Sequence, residues 1–336
     1  MINILYIGNK LSKYGFTPTN VETLGEQLKE FCNVVSVSDK LNKVARMIDM
    51  IAAICKNRKS DYVIVDTYST SNFYFTYVTA LLCGVFKLRF IPILHGGNLP
   101  ERLERSPRMS RRIFNHSLIN VSPSGYLNYE FKRHGYENVV TIPNNIFIDE
   151  YPFKVRLSFR PKLLWVRSFD KTYNCEMAVD VLHLLLQQYS NAELCMVGPD
   201  KDGSQQNVKT LAEQYGISDH LIITGRLSKT EWHKLSEDYD IFISTTNFDN
   251  TPVSVIEAMA LGLPVVSTNV GGVPFLIDDG KDGLLCEKGN AEDLVRKVVQ
   301  IVSSPEKSRD ICANARKKVE SFDWQVVKEQ WKKVLK

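Results

Sequence analysis

The stretch N-F-D-N-T-P-V-S-V-I-E-A-M-A-L-G-L-P-V-V-S-T-N-V-G-G, residues 247–272, decides the fold of this chain. It follows a strand-like run at residues 239–244. Pro252 comes after polar residues and is typical of a first helical position, so the pattern predicts a helix that opens near Pro252 and carries Glu257. Asp249 then lies in the loop before that helix. The run G-L-P-V-V-S-T and the turn G-G-V-P predict a second strand and a second helix start.

The free amides at the predicted helix start attract an anion such as a diphosphate. Carboxylates beside them can accept hydrogen bonds from sugar or ribose hydroxyls. The alternative is structural: Asp249 caps the helix and Glu257 is a solvated helix residue. The strand and the glycine-rich turn around the two acids favour a site for a nucleotide-sugar. The predicted donor-binding residues of this helix start are Asn250, Thr251, Val253, Ser254 and Glu257.

This segment resembles the signature of the retaining glycosyltransferases of family 4, within the glycosyl transferases group 1. The resemblance implies an α/β protein with the GT-B fold, in which two Rossmann-like parallel-sheet domains face each other across a cleft. The family pattern is E-x7-E, so Glu257 matches the second acid and Asp249 departs at the first. The resemblance implies that the first acid contacts the donor sugar as a catalytic residue and that the second holds the ribose. It extends over most of the chain, most strongly over residues 163–294.

Length and composition agree with a two-domain globular protein. The chain has 336 residues, of which 44% are hydrophobic and 24% charged, and its net charge of +4 is too small to indicate nucleic acid binding. Seven cysteines show no zinc spacing. Five of them lie in apolar surroundings, which predicts buried free thiols in a reducing cytosol; they are Cys32, Cys55, Cys83, Cys195 and Cys286. Met1 runs directly into a strand-like segment, so no targeting segment is expected. The most apolar run, residues 73–86, is too short to span a bilayer and predicts a buried helix.

Strand-like and helical patterns alternate throughout, which predicts parallel α/β sheets; among the predicted elements are a helix at residues 21–31 and a strand at residues 118–121. The segment I-P-N-N-I-F-I-D-E-Y-P-F at residues 142–153 interrupts the alternation and is interpreted as the interdomain linker. We therefore expect a first domain at residues 1–150 and a second at residues 151–321. The resemblance assigns the acceptor to the first domain and the nucleotide-sugar donor to the second. It also implies that a C-terminal helix, residues 322–336, returns to the first domain.

Two residues follow predicted strands, where the ligand crevice of an open α/β sheet lies. His95 occurs in I-P-I-L-H-G-G, and Arg167 in W-V-R-S-F-D-K-T-Y-N. A satisfied turn histidine and a surface arginine are the structural alternatives. The resemblance favours catalytic roles: His95 would contact the transferred sugar, and Arg167 would bind the diphosphate and stabilise the leaving group.

The resemblance also implies a lysine shortly after Arg167, and here the sequence departs from the family. The alignment places Tyr173 at the lysine position, while Lys171 lies two residues earlier. Either Lys171 reaches the phosphate or the Tyr173 hydroxyl replaces it. In the family, the turn after a later strand contacts the nucleobase around the position of Leu227. Residues 8–22 contain no G-x-G-x-x-G, which disfavours a dinucleotide cofactor.

Residues 101–112 read E-R-L-E-R-S-P-R-M-S-R-R, with five arginines against two glutamates. A solvated surface is the ordinary interpretation of such a run. The alternative is contact with an anionic membrane surface or with a phosphate-bearing acceptor. The arginines concerned are Arg102, Arg105, Arg108, Arg111 and Arg112.

The sequence as a whole predicts a cytoplasmic, metal-independent retaining glycosyltransferase. It would transfer a sugar from a UDP- or GDP-sugar to a hydroxyl of a glycan or lipid-linked acceptor, in polysaccharide, lipopolysaccharide or glycolipid assembly. No D-x-D stands where a metal would be needed, and no cofactor is expected. Two rivals remain: an inactive partner subunit that binds nucleotide-sugar, and an epimerase or phosphorylase with the same fold.

Overall fold

The computed structural model describes residues 1–16 and 18–336. Thr17, in the loop at residues 8–22, lies outside the described residues. The chain divides into two compact units: Met1–Pro143 with Val327–Lys336, and Asn144–Val326. Each unit contains a six-stranded sheet in which every pairing between strands is parallel.

The first unit has the strand order β2-β1-β3-β4-β5-β6. Its strands are β1 Ile2–Ile7, β2 Cys32–Val37, β3 Tyr62–Thr67, β4 Arg89–Leu94, β5 Asn120–Ser122 and β6 Val139–Thr141. Its helices are α1 Asn20–Gln27, α2 Lys43–Lys56, α3 Asn72–Phe86, α4 Leu99–Arg105, α5 Pro107–Phe114 and α6 Gly125–Arg133. All six residues of β3 are buried, as expected for a strand covered by helices on both faces.

The second unit has the strand order β12-β11-β10-β7-β8-β9. Its strands are β7 Lys162–Val166, β8 Glu193–Val197, β9 Leu221–Gly225, β10 Ile241–Ser244, β11 Val265–Thr268 and β12 Leu284–Cys286. Its helices are α7 Cys175–Leu186, α8 Ser204–Gln214, α9 Lys229–Leu235, α10 Val253–Ala260, α11 Val273–Leu276, α12 Ala291–Ser303 and α13 Pro305–Glu320. The chain ends with α14, Trp324–Val334, and the division between the units falls within this helix.

The order of the strands fixes where a ligand can bind. In the second sheet the chain runs from β7 outward through β8 and β9, then returns to β10 on the other side of β7. The loops that follow β7 and β10 therefore diverge at the carboxyl edge and leave a crevice between them. In the first sheet the same change of direction lies between β1 and β3.

Every predicted strand is present, with shifts at some ends. The strand predicted at residues 118–121 is Asn120–Ser122 instead. The buried Asn120 amide donates to the carbonyl oxygens of Phe114 and Asn138, at 3.0 and 3.1 Å. The helix predicted at residues 21–31 ends as an α-helix at Gln27 and continues as a short 3-10 turn. Cys55, predicted to be buried, is exposed on α2.

Candidate functional site

The start of α10 lies at the carboxyl edge of the second sheet, in the loop after β10. Pro252 precedes its first residue and accepts hydrogen bonds from the amides of Val255 and Ile256, at 3.1 and 3.2 Å. The amides of Val253 and Ser254 therefore point out of the helix, as at any helix start. Ser254 is buried, yet its Oγ has no hydrogen-bond partner among the described residues. A buried hydroxyl without a partner is unusual in a native protein.

Arg167 and Asp249 meet beside this helix start. Arg167 follows β7, and its Nη2 donates to Asp249 Oδ2 in an ion pair whose side chains are 17% and 15% exposed. The guanidinium carbon lies 5.0 Å from the centre of the Tyr173 ring. Arg167 Nε is buried and has no hydrogen-bond partner among the described residues. The arginine thus retains one buried donor for a ligand.

The glycine pair predicted to form a turn holds this loop in place. The Gly272 amide donates to the Asp249 carbonyl at 2.8 Å. A Cβ on Gly272 would lie 1.7 Å from the Asn250 carbonyl oxygen, so no other residue fits there without movement of the backbone. Asp249 Oδ1 in turn accepts from the Asn250 amide at 2.8 Å. The carboxylate is therefore fixed both by its own loop and by Arg167.

Glu257 forms a second polar cluster on α10. It is 4% exposed, and its Oε1 accepts a hydrogen bond from the Tyr151 hydroxyl at 3.0 Å and pairs with Lys229 Nζ at 2.9 Å. Burial, then the negative charge of Glu257, raise the pKa of Tyr151 well above its usual range, so its hydroxyl remains a donor. Glu257 Oε2 makes no hydrogen bond with the described residues and is the free acceptor of this cluster.

His233 completes this cluster from the side. Its ring lies 4.7 Å from the ring of Tyr151. Burial, reinforced by the nearby charge of Lys229, lowers the pKa of His233 to about 4. The imidazole is therefore neutral at ordinary pH and adds no second cation beside Glu257.

The sequence did not reveal three members of this cluster: Tyr151, Lys229 and His233. One local signal existed. Ser228 and Glu231 form a capping box that starts α9 at Lys229, directly after the loop that carries Leu227. Leu227 itself packs against the core of the second unit.

The two candidates for the family lysine have different surroundings. Tyr173 lies against Arg167, as described above. The backbone amide of Lys171 donates to Asp202 at 3.0 Å and its carbonyl accepts from the Asn247 side chain at 3.0 Å, and its ammonium forms no hydrogen bond or ion pair with a described residue. Tyr173 therefore contacts Arg167 directly, whereas the hydrogen bonds of Lys171 to described residues are made by its backbone. Thr251 lies in the loop just before the helix start and is partly buried.

A separate polar cluster surrounds His95 in the first unit. Its Nε2 lies 3.0 Å from Asp66 Oδ1, and the Tyr6 hydroxyl donates to the same oxygen at 2.9 Å. The other oxygen of Asp66 accepts from the Val21 amide at the start of α1, at 3.2 Å. Because both Asp66 oxygens act as acceptors, the proton of His95 is assigned to Nε2. Sequence reasoning found His95 but missed Asp66 and Tyr6.

Gly8 makes this cluster possible. A Cβ at Gly8 would lie 2.6 Å from Asp66 Oδ2 and 2.7 Å from the Val21 Cβ. The aromatic ring of Tyr68 stacks on His95 with 5.0 Å between ring centres. His95 is therefore held by a carboxylate at one nitrogen and by an aromatic ring on its face.

Within residues 1–16 and 18–336, no group of three or more His, Cys, Asp or Glu side chains is arranged to hold a metal ion. No helix formed by these residues has the length and apolar character needed to cross a membrane.

These features define a class. Two Rossmann-like parallel sheets in one chain, with a helix start and an arginine at the switch point of the second, belong to the GT-B fold of glycosyltransferases. The predicted fold class is confirmed. The model of the family described as glycosyl transferases group 1 matches residues 148–318, and the chain belongs to this family.

Individual relatives and solved structures agree with this membership. The chain is 29% identical over 156 residues to an uncharacterized glycosyltransferase of Haemophilus influenzae, covering 46% of this chain and 43% of that protein. It is 23% identical over 199 residues to the poly(ribitol-phosphate) alpha-N-acetylglucosaminyltransferase of Staphylococcus aureus, covering 58% of this chain and 39% of that protein. These alignments thus span less than half of either relative. The crystal structure of Anabaena HepE in complex with UDP and glucose superposes with a TM-score of 0.80 at 17% identity, covering 100% and 99% of the two chains.

Proposed function

We propose that this glycosyltransferase is a retaining enzyme of family 4, of the hexosyltransferase type. It transfers a sugar from a nucleotide-diphosphate-sugar to an acceptor hydroxyl. The observation that carries the proposal is a pair of buried polar atoms without a partner among the described residues: Ser254 Oγ at the start of α10, and Nε of Arg167, which follows β7 and pairs with Asp249 in the loop before α10. A diphosphate would satisfy both, and outward-pointing amides at the helix start favour the same negative charge.

Each site residue has a role in this proposal. The diphosphate binds Arg167 and the helix start at Asn250, Thr251, Val253 and Ser254. The ribose hydroxyls donate to Glu257 Oε2, and the nucleobase meets the backbone near Leu227. Asp249 contacts the transferred sugar, and His95 of the first unit keeps the catalytic role expected from the resemblance. Lys171 is at most a peripheral contact, since Tyr173 lies against Arg167.

The proposed reaction keeps the configuration of the sugar. The acceptor oxygen bonds to the anomeric carbon on the face from which the diphosphate leaves, the bond from that carbon to the diphosphate breaks, and the diphosphate takes the acceptor's proton. The positive charge of Arg167 and the amides of the helix start stabilise the leaving group. On this proposal neither a metal nor a cofactor takes part.

Similar proteins support a donor and an acceptor class. HepE was solved with UDP and with UDP-glucose, which supports a uridine nucleotide. The Staphylococcus enzyme is named for a poly(ribitol-phosphate) acceptor, and another similar structure is a lipopolysaccharide outer core galactosyltransferase. We therefore propose a cytoplasmic enzyme of polysaccharide, lipopolysaccharide or glycolipid assembly, with a glycan or lipid-linked acceptor.

We propose that arginines of residues 101–112 contact phosphate groups at the inner membrane face, but not all five of them, because two are engaged within the protein. Arg102 donates to the Ser69 carbonyl at 2.9 Å, and Arg105 pairs with Glu101 at 2.5 Å. The remaining arginines of the run are exposed and form no ion pair with a described residue; they are Arg108, Arg111 and Arg112.

A thermal-shift panel tests the donor site. UDP-, GDP- and ADP-sugars are added without and with a divalent metal to the wild type, to Glu257→Gln, and to Glu213→Gln as a control on the exposed face of α8. We expect one nucleotide to stabilise the wild type and Glu213→Gln, and the shift to be lost in Glu257→Gln. No shift with any nucleotide would contradict the proposal and favour an inactive partner subunit.

Product analysis tests the chemistry. The anomeric configuration of the product, measured by NMR, must equal that of the donor. An inverted product would rule out the retaining mechanism, and turnover of the donor without an acceptor would favour an epimerase.

A further inference from the structure

The helix α2 has two apolar faces, although a surface helix needs one. Its inner face buries Met50 and Ile54. Its opposite face carries Val44, which is 68% exposed, and Ile48, which is 61% exposed. Ile51 and Cys55 continue this outer stripe at helical spacing.

The neighbouring helix α3 repeats the feature. Its sequence, N-F-Y-F-T-Y-V-T-A-L-L-C-G-V-F, contains no charged residue. The inner face is buried as predicted, but the outer face is not: Tyr74 is 48% and Val85 is 73% exposed. Val78 and Leu81, partly exposed, lie between them at the same helical spacing. The prediction of a buried helix at residues 73–86 is therefore correct for its inner side and wrong for its outer side.

The two stripes form one surface. Connections from β2 to β3 and from β3 to β4 run in the same direction across the sheet, so right-handed crossovers place α2 and α3 on the same side. The helices pack against each other. We call this surface the α2–α3 face, made of Val44, Ile48, Ile51, Cys55, Tyr74, Val78, Leu81 and Val85. Contiguous exposed apolar surface of this kind marks an interaction site.

Positive charge borders the α2–α3 face on two sides. On one side α3 packs against α5, whose outward side chains include Arg108, Arg111 and Arg112. On the other side, Lys56 and Lys59 are exposed at the end of α2 and form no ion pair with a described residue. The one acid of α2, Asp49, accepts a hydrogen bond from Ser38.

We infer that the α2–α3 face docks on an anionic lipid bilayer. Aliphatic side chains and Tyr74 would enter the boundary between headgroups and acyl chains, while the bordering lysines and arginines contact lipid phosphates. A second copy of the chain fits less well, because a self-complementary contact would bring two positively charged borders together. This inference shares its bordering arginines with the membrane contact put forward under the proposed function and extends that part of it, but it is independent of the proposed donor site, none of whose residues takes part.

Vesicle flotation tests the inference. The probes are phosphatidylcholine vesicles with and without phosphatidylglycerol, and the proteins are the full chain and its Ile48→Glu/Val85→Glu variant. We expect the wild type to float with the anionic vesicles only, and less so as salt is raised. The variant should lose at least about tenfold in partition coefficient, because two apolar contacts are removed and two negative charges are added.

A matched control uses the second unit. Val155 and Leu157 are 66% and 78% exposed there, so Val155→Glu/Leu157→Glu adds the same charge at equally exposed aliphatic positions. It should bind vesicles like the wild type. Donor-induced thermal shifts should be the same in all three proteins, which separates this test from that of the donor site.

Two results would overturn the inference. One is equal flotation of the wild type and Ile48→Glu/Val85→Glu with anionic vesicles, or no flotation of either. The other is a dimer of the wild type, seen by sedimentation velocity, that Ile48→Glu/Val85→Glu dissociates, since a second copy would then cover the face.

Discussion

Glu257 shows how a single carboxylate can be prepared for a ligand while it is still paired within the protein. Tyr151 and Lys229 both contact Oε1, which leaves Oε2 for a ribose hydroxyl. Lys229 also cancels a buried negative charge close to the place where we expect the diphosphate. Without that cation, the carboxylate would repel the phosphates of the donor.

We therefore expect Lys229→Met to weaken the binding of UDP much more than the binding of uridine. The loss for UDP should be roughly tenfold, because Lys229 is itself 63% exposed and solvent screens much of its effect. Isothermal titration of both ligands measures the difference. Lys209→Met, an exposed lysine on α8, is the control. Equal losses for UDP and uridine would show that Lys229 acts through structure and not through charge.

His233 makes the stability of the second unit depend on pH. Its folded pKa of about 4 lies below the ordinary value of 6.5, so protons bind more tightly to the unfolded chain. The stabilisation is complete above pH 6.5 and is lost as the pH falls towards 4. Because the ring is only partly buried, we expect the free energy of unfolding to fall by about 1 kcal/mol over this range. Urea unfolding at pH 7.5 and pH 5 should show a smaller pH effect in His233→Gln than in the wild type.

At the scale of elements, the site depends on how α10 and the glycine turn after β11 meet. The start of α10 was predictable, because Pro252 and the polar residues before it are local signals. The contact between the Gly272 amide and the Asp249 carbonyl was not, because it joins two loops through the folding of the sheet. The same holds for Tyr151 and Glu257, which come together only when the linker packs against α10.

The glycine turn gives a prediction for α10 and its loop as a unit. Gly272→Ala places a methyl group 1.7 Å from the Asn250 carbonyl oxygen, which must move. We expect a loss of about 1–3 kcal/mol in the free energy of unfolding and a loss of the donor-induced thermal shift. Gly84→Ala is the control, because a Cβ there meets no atom within 4 Å. A Gly272→Ala protein that binds the donor normally would show that this loop does not position Asp249 for the ligand.

For the whole molecule, the sequence predicted the strands of the two sheets better than the buried contacts and the boundaries of each unit. Alternating strand and helix patterns are local, and for that reason all strands of both sheets could be located. The buried Asp66 beside His95 could not be found in this way, since β3, β4 and β1 must assemble first. The expected domain boundaries were residues 150 and 322, and the structural units change after Pro143 and Val326.

The last residues of α14 complete the first unit. Trp331 is 2% exposed, Lys328 pairs with Glu30 at 3.0 Å, and the Tyr62 hydroxyl donates to the carbonyl of Lys336. Loss of a buried tryptophan side chain costs about 3–5 kcal/mol, so Trp331→Ala should unfold the first unit at a lower temperature. Calorimetry should then show two unfolding transitions. A donor nucleotide should raise the midpoint temperature of only the transition that belongs to the second unit. Val326→Ala, 46% exposed on the same helix, should leave the thermogram unchanged. If Trp331→Ala instead shows a single transition at a lower temperature, the two units unfold together. The substitution in the first unit would then also destabilise the donor site in the second.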